Sequence, residues 1–174
     1  MLTWLRSRSR PGKTAAALYG SIVTQARIPE FYTRAGVPDT MEGRFSVISV
    51  HMFLALERIR SEGANGDELA RALLESFVTD IDDNMREIGI GDMGVPRRVK
   101  KAAAALHEQM EAYRAAVAES SDTQLTAAIA RYIVVQDGVG QPSVVAAYVR
   151  RASSHLAQQP WGEIEAGRIT FPPF

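Results

Sequence analysis

The side chains best suited to chemistry in this sequence are one histidine and a group of carboxylates. His51 lies one position off the apolar stripe of a strongly apolar segment. Asp80, Asp83 and Glu87 are spaced i, i+3, i+7, so in a helix they share one face. Such carboxylates could bind a divalent cation, with Asp92 or His51 completing the ligand set. They could also dock a basic partner, or neutralise positive charges on a neighbouring helix.

Structural roles are favoured for both features. We expect His51 to be a core or edge histidine that makes one hydrogen bond. The carboxylates are expected to neutralise a basic cluster that begins the next helix, because adjacent antiparallel helices commonly mix charges in this way. An anionic ligand, such as phosphate, a lipid headgroup or rRNA, is the alternative for that cluster, since cations are disfavoured at a helix N-terminus. The basic cluster consists of Arg97, Arg98, Lys100 and Lys101.

Signatures of common enzymes are absent from the sequence. It contains no GxGxxG, GxxxxGK[ST], HExxH or GxSxG motif, and His107 and His155 lie among polar residues that indicate a surface position. Cysteine is absent, which excludes disulfides, thiol catalysis and iron–sulfur ligation. We therefore expect no catalytic residue, no metal and no cofactor. The alternative is a helical metal- or small-molecule-binding protein or enzyme that uses His51, Asp80, Asp83 and Asp92.

Length and charge narrow the class of protein further. The chain has 174 residues, of which 46% are hydrophobic and 23% charged, as expected for one globular domain. Its 20 basic and 20 acidic residues cancel, so DNA is not an expected partner. No apolar run approaches the length of a membrane span.

The first dozen residues are basic and contain no acid. A loose basic tail is the favoured interpretation, because chain termini are usually poorly ordered. The alternatives are a mitochondrial-type presequence and a weak contact of Trp4 and Leu5 with an anionic membrane. Residues 1–12 are therefore predicted to be a flexible N-terminus.

Apolar residues recur with a helical period along most of the chain. The pattern predicts an all-α, single-domain bundle of about six helices over residues 13–159. The helix that ends near Ser61, capped by Asp39 or Thr40, is apolar on most sides and is predicted to be central. Residues 160–174 are predicted to form an extended arm packed on the bundle, because their aromatic side chains would otherwise be exposed. The other helices are predicted at 13–27, 67–88, 97–118, 122–136 and 143–158.

Several segments, read in order, resemble one family. They are LYGSIVTQAR (18–27), PEFY (29–32), GVPDTMEGRF (36–45), FVTDIDDNMR (77–86) and EIGIGDMGVP (87–96). Together they resemble the ubiquinol–cytochrome c chaperone family, whose members assist assembly of cytochrome b into the bc1 complex. The resemblance covers residues 15 to 118 well and the C-terminal third more loosely, and the short N-terminus is similar to that of bacterial members.

This resemblance implies a non-enzymatic, all-helical assembly factor that binds newly made cytochrome b or another bc1 subunit. A ribosome, an anionic membrane surface and a small helical partner protein are further partners that it leaves open. The implied location is cytoplasmic, free or peripheral on the inner face of the inner membrane.

A chaperone of this kind should have a groove or an exposed apolar patch. If Arg44 is partly buried it must be paired, with Asp80 or Asp83 as candidates. The candidate residues for binding the client or a partner are Tyr19, Phe31, Tyr32, Arg44, Phe45, Asp80, Asp83, Arg97, Arg98, Lys100 and Lys101.

Overall fold

The computed structural model describes residues 10–87, 95–119, 121–136 and 140–174. Over these ranges the chain forms eight helices and no strand, which confirms the predicted all-α fold class. Two helices are single turns, and none in these ranges is both long and apolar enough to cross a membrane. The helices are α1 (Arg10–Ala26), α2 (Glu30–Thr33), α3 (Met41–Arg60), α4 (Ala64–Glu87), α5 (Val95–Ala118), α6 (Asp122–Tyr132), α7 (Pro142–Ala157) and α8 (Trp161–Glu165).

Helix α3 is the central helix, as predicted. It packs against α1, α4, α5 and α7, and every residue from Ser49 to Leu56 is buried. A helix that is apolar on nearly all sides is stable in water only when neighbours cover all of those sides. Its N-terminus is fixed by Thr40, whose hydroxyl accepts a hydrogen bond of 3.1 Å from the backbone N–H of Gly43.

Some helix ends differ from the predictions. Helix α6 ends at Tyr132 rather than near Gln136, because Ile133 has an extended backbone. The N–H of Gln136 instead donates a hydrogen bond of 2.7 Å to the carbonyl of Gly36 in the loop before α3. A contact between distant loops thus replaces the last helical turn that local sequence favours.

The C-terminal segment, residues 160–174, is partly helical. Its first residues form α8, so an arm extended throughout is wrong, and Gly167 turns the chain with a φ of 82°. After this turn, Phe171 and Phe174 pack against the hydrophobic core. The aromatic end of the chain therefore lies on the bundle and contributes to its interior.

Candidate functional site

His51 lies at the centre of the core, and protein groups occupy both of its ring nitrogens. Its side chain is fully buried, with Nδ1 2.8 Å from the carbonyl oxygen of Val47 and Nε2 2.8 Å from the hydroxyl of Tyr148. A carbonyl only accepts, so Nδ1 carries the proton and the Tyr148 hydroxyl donates to Nε2. Burial lowers the pKa of His51 from 6.5 to about 4, so the ring is neutral. The predicted core position is correct, but the ring makes two hydrogen bonds and has no nitrogen free for a metal.

The hydroxyl of Tyr148 connects His51 to the first helix and the C-terminal segment. The side-chain amide of Gln25 lies 3.2 Å from this hydroxyl and 3.3 Å from the carbonyl of Pro172, and it donates to both. Helices α1, α3 and α7 and the end of the chain thus meet in one polar network, which is buried at His51 and partly buried at Gln25. Such a network specifies how the elements are arranged, since any other packing would leave polar groups unsatisfied.

Aromatic rings surround this network. The ring of Phe31 lies edge-on to His51 at 5.2 Å, to Tyr148 at 5.0 Å and to Phe174 at 4.7 Å. The ring of Phe171, in the C-terminal segment, lies edge-on to the ring of His51, with 5.0 Å between the two centroids. With an exposed fraction of 1%, Phe31 is a core residue, and a client could reach its ring only after the C-terminal segment had moved.

Tyr19 and Asp80 form a second, smaller contact between α1 and α4. The hydroxyl of Tyr19 donates a hydrogen bond of 2.8 Å to Oδ2 of Asp80. Burial and this neighbouring carboxylate raise the pKa of Tyr19. The rings of Tyr19 and Phe45 both pack on Phe77. Asp80 therefore has a structural partner that the sequence pattern did not indicate.

Arg44 has a different partner from the one proposed. Its Nε lies 2.6 Å from Oδ1 of Asp39, and both side chains are 59% exposed. The hypothesis that Asp80 or Asp83 pairs with a partly buried Arg44 is therefore wrong. The hydrogen bond from Arg44 holds the pKa of Asp39 below its usual value. Arg44 lies on an exposed side of the first turn of α3, so it needs no buried partner.

The remaining candidate residues lie at the surface or outside the described residues. Asp83 and Lys100 are exposed, and Tyr32 is partly buried against the core. His107 is exposed, as expected from the sequence, and the ring of His155 lies 3.3 Å from the hydroxyl of Thr170. Residues 1–9, Asp92 and the side chains of Arg97, Arg98 and Lys101 lie outside the described residues.

The alternative of a metal site finds no support in the part of the chain that the structure describes. There, no group of three or more His, Asp or Glu residues could hold an ion. His51 uses both nitrogens within the core, and Asp80 accepts from Tyr19. Two of the four residues proposed as ligands, His51 on α3 and Asp80 on α4, are thus hydrogen-bonded to protein groups.

One surface concavity was not predicted from the sequence. A concavity of about 310 Å³ lies beside α7, where side chains from the segment after α2 and from the end of the chain meet that helix. Only the i, i+4, i+8 spacing of its α7 residues is visible in the sequence; the other contributors are brought there by the fold. The lining residues are Arg34, Ser143, Val144, Ala147, Arg151 and Phe174. We call this site the two-arginine concavity.

These features define an all-α protein whose most chemically suggestive residues serve packing. The profile of the family described as "Ubiquinol-cytochrome C chaperone" matches residues 33–171. The chain therefore belongs to the ubiquinol–cytochrome c chaperone family, a family of assembly chaperones rather than enzymes. The resemblance found in the sequence is confirmed.

Individual relatives agree with this assignment. The ubiquinol-cytochrome-c reductase complex assembly factor 1 of Xenopus laevis is 23% identical over 144 residues, which are 82% of this chain and 72% of the frog protein. The mouse protein of the same name is 24% identical over 144 residues, which are 48% of its length. The crystal structure of the Cbp3 homolog from Brucella abortus is 33% identical and superposes with a TM-score of 0.84, covering 99% of this chain and 97% of that one.

Proposed function

We propose that this chain is an assembly chaperone of the ubiquinol–cytochrome c reductase (bc1) complex that binds newly made cytochrome b or another bc1 subunit. The observation that carries the proposal is the family match over residues 33–171. The similarity to the Brucella Cbp3 homolog over nearly the whole of both chains supports it, because the match extends to the complete described fold. The proposed place of action is the cytoplasmic side of the membrane, where the chain is free or peripherally bound.

Exposed residues of the predicted set are the first candidates for client contact. Arg44 and Lys100 present positive charge, and Asp83 presents negative charge. Phe45 is partly buried next to Arg44 on α3 and would supply apolar area beside that charge. A polypeptide client meets such mixed surfaces through an apolar centre and a polar rim. Arg97, Arg98 and Lys101 stay candidates for client contact from the sequence alone.

Site-specific crosslinking during synthesis of cytochrome b tests this proposal. A photoreactive amino acid is placed at Arg44 or Lys100, with Arg71 on α4 as an exposed control position outside the predicted set. We expect crosslinks to newly made cytochrome b or another bc1 subunit from the first two positions. A deletion strain should also contain less assembled bc1 complex. Normal bc1 levels without the chaperone, together with no crosslink to any bc1 subunit, would remove the proposal's support.

The ion pair of Arg44 offers a matched comparison. Arg44→Gln and Asp39→Asn both break the same pair, so they should change stability by a similar, small amount. If Arg44 contacts the client, Arg44→Gln weakens bc1 assembly more than Asp39→Asn does. Equal effects of the two variants would assign Arg44 to the fold alone.

A further inference from the structure

We propose that the two-arginine concavity is a receptor for an acidic segment of a partner protein, with a carboxylate between the two guanidinium groups and an apolar side chain beside it. This inference deepens the proposed function and rests on it, because it names the chemistry of one contact that an assembly chaperone would make.

No Asp or Glu side chain is among the described residues that line this concavity. Arg34 and Arg151 are exposed and line the same concavity, so two positive charges lie on one site. Two like charges that converge on one concavity repel each other, and a bound carboxylate relieves that repulsion. Most other described arginines already have a carboxylate partner: Arg44, Arg58, Arg60, Arg114, Arg131, Arg150 and Arg168.

Aromatic rings hold both guanidinium groups in place. The guanidinium carbon of Arg34 lies over the ring of Phe174, 5.6 Å from its centroid, and that of Arg151 lies over the ring of Tyr148 at 6.0 Å. The two rings lie 5.4 Å apart with an angle of 30° between their planes. A cation–π contact of this kind favours a guanidinium group near the ring without using up its N–H donors, which can still bind a carboxylate. The arginines are thus partly preorganised for a planar, doubly hydrogen-bonded anion.

The N-terminus of α7 adds partial positive charge at the same place. Gln141, at the N-cap, makes no side-chain hydrogen bond to the backbone of the first turn. The N–H groups there carry the positive end of the helix dipole. Ser143 in this turn lines the concavity together with Val144, which is 38% exposed, and Ala147 one turn later. An anion near Ser143 would therefore meet a charged side and an apolar side of the same site.

Positive charge beside apolar side chains in one small concavity favours a peptide ligand over a lipid surface. The concavity has about the smallest volume typical of ligand pockets, roughly 300 Å³, and suits one acidic residue with an apolar neighbour. A bilayer, by contrast, is bound by protruding apolar residues and a broad basic face. The side chains of Val144 and Ala147 can contact an apolar residue of a peptide, whereas a phosphate headgroup offers them no apolar group.

Peptide binding by the purified full chain tests the proposal. The probe is a fluorescein-labelled peptide, Gly-Leu-Glu-Glu-Leu-Gly, compared with the same peptide carrying Gln in place of Glu. We expect the acidic peptide to bind at least about tenfold more tightly, because hydrogen bonds to a charged carboxylate are stronger than those to a neutral amide. Arg34→Gln and Arg151→Gln should each weaken binding about tenfold, and Arg71→Gln, on an exposed face of α4, should leave it unchanged.

A second variant separates lost charge from lost folding. Ala147→Trp keeps both arginines, fills the concavity from an exposed helical position and should abolish binding while the thermal unfolding curve stays cooperative. Equal affinity for the Glu and Gln peptides, unchanged affinity of Ala147→Trp, or no saturable binding up to ~1 mM would each overturn the proposal.

Two further arms distinguish other ligands and the larger function. Binding to phosphatidylglycerol vesicles, but not to the peptide, would overturn the proposal in favour of a membrane contact. Complementation of a deletion strain by the unmodified chain tests the assembly function separately. One informative result is that complementation fails while the purified protein binds the acidic peptide as expected. That result would contradict the proposed assembly function and support the proposal that the two-arginine concavity binds an acidic segment.

Discussion

Acidification should destabilise this protein through one buried ring, that of His51. Burial lowers its pKa from 6.5 to about 4 in the folded chain, whereas in the unfolded chain it keeps its ordinary value. Between these two values the unfolded state binds a proton that the folded state does not. The free energy of unfolding therefore keeps its full value above about pH 6.5 and decreases as the pH falls toward 4.

The size of the effect follows from the two pKa values. At pH 5 the unfolded ring is almost fully protonated and the folded ring almost fully neutral, so unfolding is favoured by about 2 kcal/mol relative to pH 7. The full effect, below pH 4, is about 3 kcal/mol. The groups that contact the ring add no charge: they are the hydroxyl of Tyr148, the carbonyl of Val47 and the rings of Phe31 and Phe171. A protonated His51 would thus find no carboxylate among these contacts.

The measurement compares the unmodified chain with His51→Gln. Urea unfolding of both proteins is followed by circular dichroism at pH 7 and pH 5, and the two losses of stability are subtracted. Carboxylates and the other two histidines are common to both proteins, so their contributions cancel to first order. The unmodified chain should lose about 2 kcal/mol more than the variant. Equal losses, or an NMR titration of the His51 ring with a midpoint near its ordinary pKa, would refute the reasoning.

Two further predictions concern stability, and both are measured by chemical or thermal unfolding. Arg58, with a side chain 7% exposed, donates to the carbonyl of Gln159 and pairs with Glu62, so Arg58→Met should lower the free energy of unfolding by about 3 kcal/mol. Glu62→Gln, at the more exposed end, should cost less than half of that, and a reversed order would contradict this assignment. Gly43→Ala would place a Cβ 2.0 Å from the carbonyl oxygen of Pro38 and should destabilise strongly, whereas Gly20→Ala in the open middle of α1 should stabilise by about 0.5–1 kcal/mol. Effects of the same sign at both glycines would be inconsistent with these contacts.

The periodicity of the sequence was sufficient to predict the architecture. Apolar residues at helical spacing identified the six long helices, and the uniform apolarity of α3 identified the central one. Thr40 was one of two caps proposed for that helix, because capping depends on side chains within one turn. These features are local, so they can be read from neighbouring residues. The ordered series of motifs between residues 18 and 96 also identified the family.

Local patterns predicted the roles of individual polar residues less well. Asp80 and Asp83 were candidates to pair with Arg44 if it was partly buried, but Arg44 is exposed and pairs with Asp39, just before α3. Phe31 was expected in a client-binding groove and lies in the core instead. A one-dimensional pattern shows which side chains share a face, but it does not show what the fold places opposite that face.

The sequence by itself determined that this chain is an all-helical member of an assembly-chaperone family, since helix formation and family motifs depend on residues close together in the chain. Only the tertiary structure decided what its reactive side chains do. His51 meets Tyr148 across 97 residues, and the two arginines of the concavity come from the segment after α2 and from α7. Contacts over such separations follow from how six helices pack together, and the periodicity of each helix alone does not specify that packing.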